Sequence, residues 1–201
     1  MSDPAVEAFL RDPNHFVCDD GLELGDLTDK PHLYRLPSLR RRLLPVLTLL
    51  PSAVFEQLAQ DRNLLFVAAP SPSGPWPGPP DATDPAAHGA YAARGRNLND
   101  PVMFKVDLPF GSWVIKLGRI EVELATPEVF AGVVIHECLH VYLDHNFGLR
   151  TIDRAAVQQA EDEAVERACQ IGFRRQTTAF LTFYATRFPN ADVIMGRLPP
   201  P

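Results

Sequence analysis

One stretch constrains this chain more than any other. Residues 127–144, PEVFAGVVIHECLHVYLD, are apolar almost all round a helical wheel, yet carry His136, Glu137 and His140 near their middle. A helix that is apolar on every face belongs in the interior of a domain. Ionisable groups buried with it must be paired or must hold a metal, because burying them alone is expensive. Thr126-Pro127-Glu128 supplies an N-cap, a proline at the first helical position and an acid in the first turn. Asn146 and Gly148 are expected to end the helix.

The rest of the chain limits what surrounds that helix. Its 201 residues are enough for one domain with a real core. Twenty prolines against twelve glycines predict long irregular segments between the elements. A net charge of −6 argues against nucleic acid as the main partner, since binding the phosphate backbone needs clustered Lys and Arg. It does not favour an anionic membrane surface either. No apolar run is long enough to span a bilayer. The opening MSDPAVEAFLRDPNHF carries acids and prolines where a secretory leader needs a basic patch and an apolar core. The expected location is therefore the cytoplasm. Cys18, Cys138 and Cys169 are odd in number and lack CxxC spacing, so they read as reduced thiols.

The chain divides into a Pro-rich, partly helical region over 1–100, a core over 101–190 and a disordered tail over 191–201. Within the first part, short helices are expected near Val6–Leu10, after Ser38 with a kink at Pro45, and after Ser52. A buried strand is expected at 64–69. Residues 70–88, PSPSGPWPGPPDATDPAAH, read as a surface loop, or as a flap over a cleft with Trp76 at its contact. From 101 the pattern becomes alternating: VMFKVDL (102–108), WVIKL (113–117) and RIEVELA (119–125), punctuated by Gly111 and Gly118. That alternation predicts a small antiparallel meander. Two further helices are expected, over about 152–173 and 177–188, the second closed by Pro189.

His136-Glu137-Cys138-Leu139-His140 is an H-E-x-x-H motif. Residues four apart share a helical face, so both imidazoles can reach one ion. Glu137 lies about 100° round from His136, beside the ion rather than on it, where it can take a proton from water. Cys138 faces away and reads as core packing. A third ligand is needed for an open catalytic site. No histidine follows His145, and His145 lies nearly opposite His136 on an unbroken helix. It fits helix capping or a supporting position better than ligation. The next helix offers Glu161, Asp162, Glu163 and Glu166. Its apolar stripe comprises Val157, Ala160, Ala164, Ala168 and Ile171, with Val165 at one edge. Glu161 falls inside that stripe, Glu163 points to the opposite face, and Asp162 and Glu166 lie well off its centre. Glu161 is therefore the expected third ligand, and zinc suits two imidazoles and a carboxylate best.

H-E-x-x-H followed about twenty residues later by Glu161-x-x-Ala164-x-x-x-Ala168 resembles gluzincin-type zinc metallopeptidases. It is similar to the ImmA/IrrE-like peptidases and the CAAX prenyl-protease/heat-shock peptidase group. Both tend to have Asn or Asp where this chain has Val165. HECLHVYLDH also resembles metallopeptidase domains associated with MoxR ATPases and von Willebrand-A proteins, a comparison that favours Asp162 over Glu161. The resemblance covers roughly 113–173. It implies an α+β, zincin-like fold: a small antiparallel sheet whose edge strand lies beside a buried HExxH helix, with a second ligand-bearing helix. It also implies Zn²⁺ on His136, His140 and Glu161, and Glu137 as general base for hydrolysis of a peptide bond in a protein or peptide substrate. A substrate strand would add near Arg119–Leu124, and Tyr142, Tyr184, His145 or an arginine would stabilise the oxyanion. The competing reading is a zincin-like domain that binds a partner with little or no hydrolysis. The intact Glu137 argues against it.

Overall fold

In a computed structural model, residues 3–12, 15–18, 35–61, 64–68, 91–94, 113–117, 125–145, 154–187 and 195–200 are described. Helix α1 (Pro4–Arg11) is capped by Asp3, whose carboxylate accepts from the Ala5 amide at 2.8 Å. It presents Val6, Phe9 and Leu10 to the core. Helix α2 (Arg35–Leu47) runs through Pro45 and starts before Ser38, the expected cap. Helix α3 (Ser52–Glu56) takes Pro51 rather than Ser52 as its N-cap and continues as a π-helical turn over Gln57–Asp61.

Four strands follow the order β1-β2-β4-β3: β1 (Phe16–Cys18), β2 (Leu64–Ala68), β3 (Tyr91–Arg94) and β4 (Trp113–Leu117). Strands β1, β2 and β4 are parallel, and β3 is antiparallel to β4. This overturns the expected zincin-like α+β arrangement of a small antiparallel sheet. Most described residues are helical, and the described sheet is mixed and largely parallel. The physical reason is the two-sided nature of a strand. Both edges of β4 are occupied, one by β2 with Phe66 opposite Ile115 and the other by β3 with Ala92 opposite Ile115. The other two expected strands of the meander, 102–108 and 119–124, lie outside the described residues. Alternation marks a strand without naming its partner. Trp113, Ile115 and Leu117 are buried, as alternation requires, and so are Leu64 and Phe66.

The boundary expected at residue 100 does not separate two cores. One hydrophobic cluster joins Val6, Phe9, Leu43, Leu47 and Phe66 to Trp113, Phe130, Ile135 and Leu139. At its centre lies α4 (Pro127–Tyr142), buried from Val129 to Val141 without interruption. Thr126 caps it, its hydroxyl accepting from the Val129 amide at 3.3 Å, with Pro127 in the first turn as expected. Arg42 ties α2 to this entry by donating to the Ala125 carbonyl at 2.7 Å and lying 4.2 Å from the centre of the Phe130 ring.

Two more helices complete the interior, α5 (Arg154–Gln170) and α6 (Arg174–Arg187). Helix α6 approaches α4 so closely at Gly132 that a Cβ there would collide with the Gln176 carbonyl. Helix α5 packs Ala160, Ala164, Val165 and Ala168 inward. It ends at Gly172, whose φ of 98° is left-handed. The Phe173 amide then bonds the Ala168 carbonyl at 2.9 Å, and the Gly172 amide bonds the Cys169 carbonyl at 3.2 Å. This is a Schellman turn. Residues 195–200, within the tail expected to be disordered, lie along α5 instead. Gln158 donates to the Met195 carbonyl at 2.9 Å, and Arg197 grips Asp162 at 2.6 Å. Arg174 donates to the Pro199 and Pro200 carbonyls at 2.7 Å each. No described helix is long and apolar enough to cross a membrane.

Candidate metal centre

The two histidines of the motif lie on one face of α4, as their spacing requires. Their Nε2 atoms are 2.9 Å apart. Glu161, in the middle of α5, reaches across to them: its Oε2 lies 2.9 Å from His136 Nε2 and its Oε1 3.4 Å from His140 Nε2. The ligand atoms of these three residues all fall within 4.8 Å of one another. Side-chain exposure is 7% for His136, 4% for His140 and 17% for Glu161, so Glu161 is the least buried of the three.

The chemistry of this donor set fits a cation. Each imidazole offers its Nε2 to the other ring and to the carboxylate at once. If both Nε2 atoms carry hydrogen toward Glu161, the two N–H groups face each other at 2.9 Å. If one gives up its hydrogen, a lone pair faces the carboxylate instead. A cation at the shared point satisfies all three lone pairs. A tetrahedral zinc with bonds of ~2.0–2.1 Å has ligand edges of about 3.3–3.4 Å; the His140–Glu161 separation of 3.4 Å matches that, and the two separations of 2.9 Å are shorter, as hydrogen-bond contacts are.

Electrostatics follow from the same geometry. Burial alone would raise the Glu161 carboxyl, but its hydrogen bonds with His136 and His140 outweigh that and bring it down to about 2. Burial holds His140 below the ordinary histidine value, and the neighbouring His136 adds to the effect. Burial likewise lowers His145 and raises the Cys138 thiol. Cys138 is a core residue, as expected. Glu137 is also buried, between His136 and Cys138 on the chain.

The other acids go elsewhere. Asp162 is nearly at the surface, held by Arg197 and Gln158. Arg197 lowers its carboxyl below the usual range. Glu163 is half-exposed and meets His145 at 3.4 Å. Tyr142 is the last residue of α4. Tyr184 packs on Phe180 and Phe183 in α6. Arg119–Leu124, the expected docking strand, lies outside the described residues, as do Trp76 and the 70–88 segment. In the described sheet the edge next to α4 is β3.

Two features escaped sequence reasoning. Phe180 tilts against the His136 ring with centroids 4.9 Å apart, one turn along both helices from the Gly132–Gln176 contact. The legible signal was Gly132, the one glycine inside an otherwise large-residue helix. The second is Gly196, which sits flush on the backbone of Glu161 and on Val165. His136 Nδ1 is buried and has no hydrogen-bond partner among the described residues.

Comparison with family models, with curated proteins and with solved structures finds no match for this chain.

Proposed function

We propose that this protein is a zinc-dependent peptide hydrolase acting on a protein or peptide. The observation that carries the reading is the convergence of His136, His140 and Glu161, three donors from two helices; Glu137, next to His136 in the chain, is buried. His136, His140 and Glu161 would hold the ion, leaving one face open. Zinc bound there supplies a Lewis acid that polarises the scissile carbonyl and makes water acidic near neutral pH.

The chain's own residues supply the proton traffic and the binding. Glu137 takes the proton from the attacking water and returns it to the departing amine. Its carboxylate has no role in a purely structural site, and such sites are closed by four Cys or His ligands. Substrate would approach from the side of Glu161, the least buried of the three ligands. An extended substrate segment would add to the β3 edge, with main-chain hydrogen bonds giving affinity.

The test is metal content together with turnover. Purified protein should carry one zinc per chain. Glu137→Gln should keep it and lose hydrolysis of an unfolded protein substrate by at least 100-fold, as expected for loss of a general base. Glu161→Ala should lose the metal, Asp162→Ala should keep it, and Glu163→Ala should weaken it less than Glu161→Ala. Full turnover in Glu137→Gln would overturn the mechanism. Zinc retained in Glu161→Ala would overturn the ligand assignment.

A further inference from the structure

The end of α4 places a second imidazole behind the first. The Leu143 amide bonds the Leu139 carbonyl at 2.9 Å, the Asp144 amide bonds Val141 at 3.2 Å, and the His145 amide bonds the His140 carbonyl at 2.9 Å. Asp144 takes a left-handed φ of 59°. This is the same Schellman turn that ends α5, with Asp144 in the place of Gly172 and His145 in the place of Phe173. The residue at that position ordinarily makes an apolar contact one turn back. Here the contact is polar: His145 Nδ1 lies 2.9 Å from His140 Nδ1. On a continuous helix His145 would point about 140° away from His140. The turn brings it back.

From His145 the contacts continue outward. Its Nε2 lies 3.4 Å from Glu163 Oε2, on the helix that also carries Glu161. The His145 side chain is 10% exposed and that of Glu163 is 53% exposed, so the chain of contacts runs from the interior to solvent. It has one consistent assignment of hydrogens once His140 offers Nε2 as a lone pair. His140 Nδ1–H donates to His145 Nδ1, and His145 Nε2–H donates to the Glu163 carboxylate.

We infer that His145 and Glu163 form a positioning chain that holds the His140 ring with its Nε2 free for the metal. This rests on the metal-site reading above. The second ring nitrogen of a metal-bound histidine usually donates to such an outer partner, which fixes tautomer and orientation. His136 has none among the described residues and is held by packing on Phe180 instead. The two ligands on α4 are thus set by different means, one polar and one apolar.

The experiment titrates the full chain with zinc alone, in competition with a chromophoric chelator at fixed pH. His145→Ala should weaken zinc by about 10–100-fold, the range found for loss of an outer-shell partner. His145→Asn, whose amide oxygen can stand where Nδ1 stood, should regain most of that loss. Glu163→Gln should stay within a few-fold of the unmodified chain, and Glu163→Ala should fall between it and His145→Ala. Imidazole nitrogen spectra of the zinc-loaded unmodified chain should show hydrogen on His140 Nδ1. Those spectra decide the matter even if His145→Ala fails to fold. Unchanged affinity in His145→Ala, with zinc lost in His140→Ala, would overturn the positioning chain and leave the metal site standing. Hydrogen found on His140 Nε2 in the loaded protein would overturn the positioning chain and, with it, ligation of the metal through that nitrogen. No zinc uptake by the unmodified chain would overturn both.

Discussion

Helices α4 and α5 each end in a Schellman turn and each supply part of the same cluster, yet they are held in opposite ways. Helix α4 is buried along every face from Val129 to Val141, so its histidines are placed by packing around the whole circumference. Helix α5 buries a stripe of small residues and leaves the rest to solvent. Its position depends on what is laid across it: Gly196 on the Glu161 backbone, Arg197 on Asp162, Gln158 on the Met195 carbonyl. A ligand on an all-apolar helix is located by the core. A ligand on an amphipathic helix is located by the segments that strap the helix down.

Breaking the first arrangement should have the largest effect. Gly132→Ala places a methyl group against the Gln176 backbone, which cannot rotate away as a side chain can. We expect about 1–3 kcal/mol of lost stability in denaturant titrations, the range for overpacking. Zinc content should fall with it, because α6 also carries the Phe180 ring against His136. A neutral Gly132→Ala would mean that α4 and α6 can separate without consequence.

The strap should be more forgiving. Gly196→Ala makes an equally close collision with Glu161 and Val165, but residues 195–200 can lift from a half-exposed helix. We expect at most about 1 kcal/mol in thermal melts, the centre of the range for single substitutions. Zinc affinity should drop less than in Glu161→Ala. If the two variants lose zinc equally, α5 is placed by the strap alone.

Acidification should separate the helices by pH window in metal-stripped protein. Burial holds His140 below its ordinary 6.5, so the unfolded chain takes up that proton first. Stability from this group is therefore complete above 6.5 and declines as pH falls below it. Glu161 sits at about 2 against an ordinary 4.5, so its contribution is present above 4.5 and is lost as pH falls toward 2. Two steps in unfolding free energy against pH are expected, the histidine step at the higher pH. A single step near 4 would show that burial of His140 contributes little.

The smallest effect belongs to the α4 terminus. Asp144→Gly removes the side-chain penalty of a left-handed φ while loosening the unfolded chain, so stability should change by no more than about 1 kcal/mol. Asp144→Val should be clearly worse, since a β-branched residue resists that conformation. Equal behaviour of the two, read by thermal melts, would argue against the turn that brings His145 to His140.

Much of the site was legible before any fold was known, for reasons that are local. His136 and His140 share a face because a helix repeats every 3.6 residues. Glu161 was separable from Asp162 and Glu163 because only it falls within the apolar stripe, and the structure turns those two toward Arg197 and His145. The sheet was not legible in the same way. WVIKL announced a strand by alternation, but its neighbours β2 and β3 come from 64–68 and 91–94, well before it in the chain. Nor did helical arithmetic place His145, because one left-handed residue at Asp144 reverses the direction that arithmetic assumes.

The sequence by itself determined the buried helix, its cap, the facing histidines and the candidate carboxylate, since periodicity and capping act within a few residues of chain. Tertiary structure alone decided the parallel pairing of β4, the strap over α5, the Phe180 contact and the chain from His140 to Glu163. Each joins residues far apart in sequence or turns on a single dihedral angle, and neither leaves a period to read.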